Sequence, residues 1–130
     1  MILMILRLSM ICMAMHAFGD VALKALSEEM QKFFDKNVVL GRNAGDEFCI
    51  FLPDCTCADV KEKLEEFTKL KRSFKYEGEE QQFTISVGYA EYPVHADKPS
   101  KLMRCADTAL YEVKLRGKNG CMPCTGKQVP

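Results

Sequence analysis

Phe83-Thr-Ile-Ser-Val-Gly-Tyr-Ala90 and, further on, Ala106-Asp-Thr-Ala-Leu-Tyr-Glu-Val-Lys-Leu-Arg-Gly-Lys-Asn119 are the segments whose reading decides the fold. The first is rich in β-branched and aromatic residues and reads as a strand, paired with Phe74-Lys-Tyr76 across Glu77-Gly-Glu-Glu80. The second lies in a helix predicted from a Ser100 N-cap to Gly117, with Leu102, Ala106, Ala109, Leu110 and Val113 as its apolar stripe. Between them run Pro93, His95 and Pro99, and His95 reads as a lone loop histidine.

Working upstream, residues 38–53 hold two β-rich runs flanking a small-residue turn at Ala44-Gly45, which is a hairpin signal. A helix is expected over residues 58–71, with Val60, Leu64 and Phe67 inward and an alternating charge face in solvent. Another is expected over residues 18–36, starting near Gly19-Asp20, from the spacing of Val21, Ala22, Leu26, Met30 and Phe33. The order is then β-α-β-β-α-β-β-α-β. It predicts an α/β fold with a central, mainly antiparallel sheet flanked by helices.

The chain has 130 residues, enough for one domain with one real core. Its 18 basic and 18 acidic residues cancel, so bulk charge gives no drive toward nucleic acid or an anionic membrane. Lys114, Arg116 and Lys118 do cluster, as a solvated helix end or as phosphate ligands. Seven cysteines follow no disulfide framework. Cys55 with Cys57 and Cys121 with Cys124 are paired as a zinc site would need, but thiols buried in a reducing cytoplasm are the simpler reading. The apolar stretch 1–17 lacks a basic leader, is interrupted by Arg7 and is short for a membrane span.

Arg42-Asn-Ala-Gly-Asp-Glu-Phe48 is where chemistry concentrates. A tight turn there presents adjacent carboxylates, Asp46 and Glu47, beside Gly45, which lets a ligand approach the backbone. Such a pair suits magnesium, which takes oxygen ligands shared with phosphates; a polar hairpin tip with solvated acids is the plain alternative.

Together these segments resemble the GGDEF family of diguanylate cyclases. The strand with S-x-G and the helix read like its A-D-x-A-L-Y-x-A-K-x-x-G-R-N signature. Residues 42–48 resemble its R-x-G-G-D-E-F hairpin, and His16-Ala-Phe-Gly-Asp-Val-Ala-Leu23 its G-H-x-x-G-D-x-x-L helix start. The resemblance implies a palm-like fold, GTP as substrate, two magnesium ions, and a facing homodimer that makes cyclic di-GMP in the cytoplasm. By position, it makes Asp46 and Glu47 metal ligands and catalytic groups. It sets Gly45 against the phosphates, Lys114 and Lys118 in contact with them, and Asp20 on the guanine edge.

Three smaller departures qualify this. Ala44 replaces the first glycine, which would cost about 1–2 kcal/mol if that position is left-handed. Lys118 replaces an arginine, keeping charge but losing the bidentate fork. Asp35 and Val38 stand where the inhibitory product site has R-x-x-D, so that feedback site is expected to be absent.

The largest departure precedes His16, where the family reads D-x-D-x-F-K-x-x-N-D-x-Y-G-H-A and this chain has no Asp, Asn or Glu. A shifted reading frame supplies them. Wherever Met precedes Ile, the last base of one codon and the first two of the next spell GAT, aspartate. This occurs at Met1-Ile2, Met4-Ile5 and Met10-Ile11. Met13-Ala14 likewise forces glycine and Met15-His16 alanine, and the other family positions are all permitted. The expectation is that residues 1–15 are an aberrant, frameshifted front end, usable as a makeshift first strand, and that 16–130 are the GGDEF domain. Function is then diguanylate cyclase by family, weak or inactive in this chain. The alternative is a non-catalytic module that binds GTP or a protein partner in cyclic di-GMP signalling.

Overall fold

Two apolar faces on one strand organise the molecule. The structure, a computed structural model, describes residues 1–10, 15–34, 38–44, 47–69, 72–76, 78–117 and 119–125. In chain order the elements are β1 (Ile2–Met10), α1 (Met15–Phe34), β2 (Val39–Ala44), β3 (Glu47–Leu52), α2 (Cys57–Lys69), β4 (Arg72–Tyr76), β5 (Glu79–Glu91), α3 (Pro99–Leu115) and β6 (Gly120–Pro123). The strands form one sheet in the order β2-β3-β1-β5-β4, and β6 also pairs with β5. All pairs are antiparallel except β5–β6, which is parallel.

β1 lies between β3 and β5, with Ile5 opposite both Cys49 and Gly88. Ile2, Leu3, Met4, Ile5 and Leu6 are each no more than 1% exposed. Ile2, Met4 and Leu6 point one way, onto Leu26, Met30 and Phe34 of α1 and Val60, Leu64 and Phe67 of α2. Leu3 and Ile5 point the other way, onto Leu102, Ala106 and Leu110 of α3. A strand covered on both faces needs an unbroken apolar run rather than alternation, and Ile-Leu-Met-Ile-Leu is one. Each such side chain contributes about 1.5–3 kcal/mol on full burial.

The helix ends depart from the sequence expectation in instructive ways. α1 begins at Met15, ahead of Gly19-Asp20, which therefore lie inside it. The helical penalty of one glycine, about 1 kcal/mol, is small beside the burial of Leu26, Met30 and Phe34. Phe33 packs edge-on to Phe34 and against Phe67, each at 5.4 Å between centroids, and so joins α1 to α2. α2 starts at Cys57 because Thr56 and Asp59 cap each other. The Asp59 N–H donates to Thr56 Oγ1 at 3.2 Å and the Thr56 N–H to Asp59 Oδ2 at 2.9 Å. α3 starts at Pro99 after Lys98, not after Ser100: proline at the first helical position has the required φ and no N–H to satisfy. No helix among the described residues is long and apolar enough to cross a membrane.

Gly88 explains how α3 reaches the sheet. A Cβ there would collide with the Ala106 carbonyl oxygen and the Leu110 nitrogen, and would lie 2.8 Å from Leu110 Cα. Only hydrogen fits. At the far end, Gly117 (φ 103°) turns the chain out of α3 in a left-handed conformation. Asn119 (φ 56°) continues the turn, and its N–H donates to Ser86 Oγ at 3.1 Å. Ser86 is 1% exposed, so this bond satisfies a hydroxyl that burial would otherwise penalise. His95 also has a structural task. Its Nδ1 accepts from the Glu91 backbone N–H at 2.9 Å while the His95 backbone N–H donates to the Glu91 carbonyl at 2.8 Å, closing the loop after β5.

The six described cysteines are free thiols spread through both cores; Cys12 lies outside the described residues. Burial pushes the Cys57 thiol up to about 11, helped by the Glu91 carboxylate. Burial likewise pushes Cys105 up to about 11, helped by its hydrogen bond with Cys124. Burial also raises Cys121. Thiols held protonated are poor metal ligands, and no group of three or more metal-ligating side chains is found among the described residues.

Two outcomes are expected. Gly88→Ala should lose about 3 kcal/mol or more, since backbone lies where the methyl must go; a urea midpoint within experimental error of the parent's would contradict this packing. Alkylation of Cys57 and Cys105 at about pH 8 should run about a hundredfold slower in the folded than in the unfolded chain, and rise as pH approaches their folded values. Equal rates in the two states would contradict it.

Candidate functional site

The β2–β3 hairpin carries the carboxylates singled out in the sequence. Gly45 and Asp46, at its tip, lie outside the described residues, as do Lys118 and Asp35. Ala44 is the last residue of β2 and pairs with Glu47, after a register shift between Arg42 and Ala44. It is a strand residue, and the left-handed non-glycine among the described residues is Asn119. The alanine therefore carries no left-handed strain.

Glu47 opens β3 and is half-buried. Its partner across the sheet is Arg7 of β1, and the partner of Arg7 on the other side is Ser86 of β5. Glu47, Arg7 and Ser86 thus form one rung. Side chains on a rung share a face, with Cβ atoms about 4.5–5.5 Å apart between neighbours. That face is the α3 side, because Cys49, Ile5 and Gly88 form the next rung inward and Leu3, Ile5, Cys49 and Ala90 pack with α3.

α3 runs along this face in step with β5. Ala90 shares a core with Ala96 and Leu102, and Gly88 meets Ala106 and Leu110. Gly120 pairs with Ser86, and a Cβ on Gly120 would sit 3.9 Å from Val113 Cγ1. The last turn of α3, with half-buried Lys114, therefore lies beside the β5–β6 pair that carries Ser86. Burial raises the Cys49 thiol, with Glu47 and then Asp107 of α3 adding to the shift, so both carboxylates act on this region. Asp20 is placed by its backbone within α1.

The structure sets Glu47 on the sheet face that α3 covers and Lys114 in the last turn of α3. It adds Arg7 and Ser86, to which the sequence reading gave no site role. Arg7 read there only as a break in an apolar run; counting by twos from Leu3 and Ile5 would have put it on the α3 face. Of the two carboxylates expected to hold magnesium, Glu47 alone lies among the described residues. Magnesium requires several oxygen ligands, whereas the nearest neighbour of Glu47 on the central strand is a guanidinium.

Comparison with known proteins bears on what this arrangement is. A sequence profile described as "Diguanylate cyclase, GGDEF domain" matches residues 15–120. Uncharacterized protein YhcK of Bacillus subtilis is 31% identical over 107 residues, which cover 80% of this chain and 30% of that protein. Diguanylate cyclase A of Treponema denticola is 27% identical over 106 residues, covering 80% of this chain and 29% of that protein. The chain therefore spans less than a third of the length of these two relatives. Among solved structures, an EAL/GGDEF domain protein from M. capsulatus superposes with a TM-score of 0.72 at 25% identity, covering 95% of this chain and 85% of that one. The fold, the order of motifs and the matched span agree: the chain belongs to the GGDEF family.

Proposed function

We propose that this chain is a GTP-binding domain of the diguanylate cyclase family that turns GTP into cyclic di-GMP weakly or not at all. The observation that carries the reading is the rung of Glu47, Arg7 and Ser86 on the face that α3 covers. There the S-x-G strand and the turn after α3 are joined by the Ser86–Asn119 hydrogen bond. In this reading Gly45 lets the phosphates approach the backbone at the hairpin tip, and Lys114 and Lys118 offset their charge. Asp20 accepts from the guanine edge, and Asp46 and Glu47 are the acidic groups near the attacking hydroxyl. Catalysis of phosphoryl transfer rests on positioning and on charge stabilisation in the transition state. A front end without acidic residues leaves that stabilisation short, which is why binding outlasts turnover. The domain would act in the cytoplasm, and a homodimer would be needed for any residual synthesis.

Residues 1–15 are, in the same reading, a frameshifted remnant of an intact motif. The apolar peptide that replaced it keeps the central strand while removing the acidic chemistry. Sequencing the gene should show a shifted frame that encodes aspartate ahead of an N-D-x-Y-G-H run; its absence would remove the frameshift.

A second reading, a module that regulates a partner through nucleotide binding alone, makes the same binding prediction and differs in having a protein target. The deciding experiment sets this chain beside one whose front end is restored from the shifted frame. Both should bind GTP by calorimetry. The restored chain should form cyclic di-GMP at least about a thousandfold faster. Equal product formation by the two chains would contradict the impaired-site reading, and no GTP binding by either would contradict the nucleotide site itself.

A further inference from the structure

We propose that Arg7 is the resident cation of this site and contacts nucleotide phosphate in place of a divalent metal, so that binding by this chain is independent of magnesium. The proposal rests on the nucleotide-binding reading above and specifies how that site is charged.

Three observations carry it. Arg7 is fixed by two neighbours at once, opposite Glu47 on β3 and opposite Ser86 on β5, so its backbone position is set by the middle of the sheet rather than by a loop. It is half-buried and follows five fully buried residues on β1, so its stem lies along apolar surface while its charged head keeps to the polar side. It lies on the face that α3 covers, and Lys114 in the last turn of α3 carries a second positive charge.

The chemistry follows from the guanidinium. It stays charged at every working pH and offers five N–H donors in a planar fork. That fork matches phosphate oxygens in pairs. A carboxylate whose strand neighbour is a permanent cation already has its charge offset, and a divalent ion brought there would be repelled by that cation. Arg7 thus does two things with one charge: it offsets Glu47 and it replaces the phosphate contact that a metal would make. Ser86 does not compete for it with a negative group, since its hydroxyl oxygen accepts from Asn119.

The test measures GTP binding to the purified full chain by equilibrium dialysis, once in EDTA and once in excess magnesium. The parent and the Arg7→Met and Arg7→Lys variants are compared, with thermal melts to establish that each is folded. The expected result is parent affinity equal within about twofold in the two buffers, at least about tenfold weaker binding for Arg7→Met in EDTA, and most of the affinity retained by Arg7→Lys. Binding that requires magnesium overturns the proposal while leaving the nucleotide reading intact, and this comparison needs no variant. Binding in EDTA that a folded Arg7→Met leaves unchanged also overturns it. Absence of binding in both buffers overturns the nucleotide reading and the proposal with it.

Discussion

The middle strand carries the molecule. β1 is hydrogen-bonded along both edges and apolar on both faces, so both cores depend on it. Take it out and α1 and α2 lose the floor on one side, α3 on the other, and the hairpin loses its connection to β5. What the position demands is modest in chemical terms: short-range β geometry and uninterrupted hydrophobic volume. Met-Ile-Leu-Met-Ile-Leu meets both demands. This is why a peptide with no acidic residue can keep the architecture of a family whose chemistry is acidic at that place.

The segments that identify the family turn out to divide into two kinds. Gly88, Ser86, Gly117 and Asn119 are builders: hydrogen where α3 crosses β5, a buried hydroxyl that holds the following turn, and two left-handed residues that make the turn. Glu47 and Lys114 are presented by what these build. The builders are intact, and the acidic contributors upstream are missing. In the function proposed above, such a chain keeps a nucleotide site whose charges are rearranged, with Arg7 opposite Glu47.

Much of this was legible in the residues. The alternation of elements, the hairpin around Ala44-Gly45 and the stripe Leu102, Ala106, Ala109, Leu110, Val113 can be read because burial imposes a period that a helix or strand must show. The helix starts were less legible, because they are decided by single contacts. The mutual bond of Thr56 and Asp59 sets one, and the fixed φ of Pro99 outbids Ser100 for another. The reason for S-x-G was hidden as well, since a glycine in a strand does not say which helix crosses it. Arg7 was hidden for the same cause: register, not sequence neighbourhood, puts it opposite Glu47. Strand pairing is a long-range fact, and no local pattern contains it.

Amide hydrogen exchange on β1 tests the central claim most directly. If residues 3–6 form the covered middle of the sheet, their amides should exchange as slowly as those of Val87 and Tyr89 on β5, close to the global unfolding limit. Exchange of residues 3–6 at the rate of an unfolded peptide, with β5 still protected, would contradict the account, because the sheet would then be standing without its middle strand.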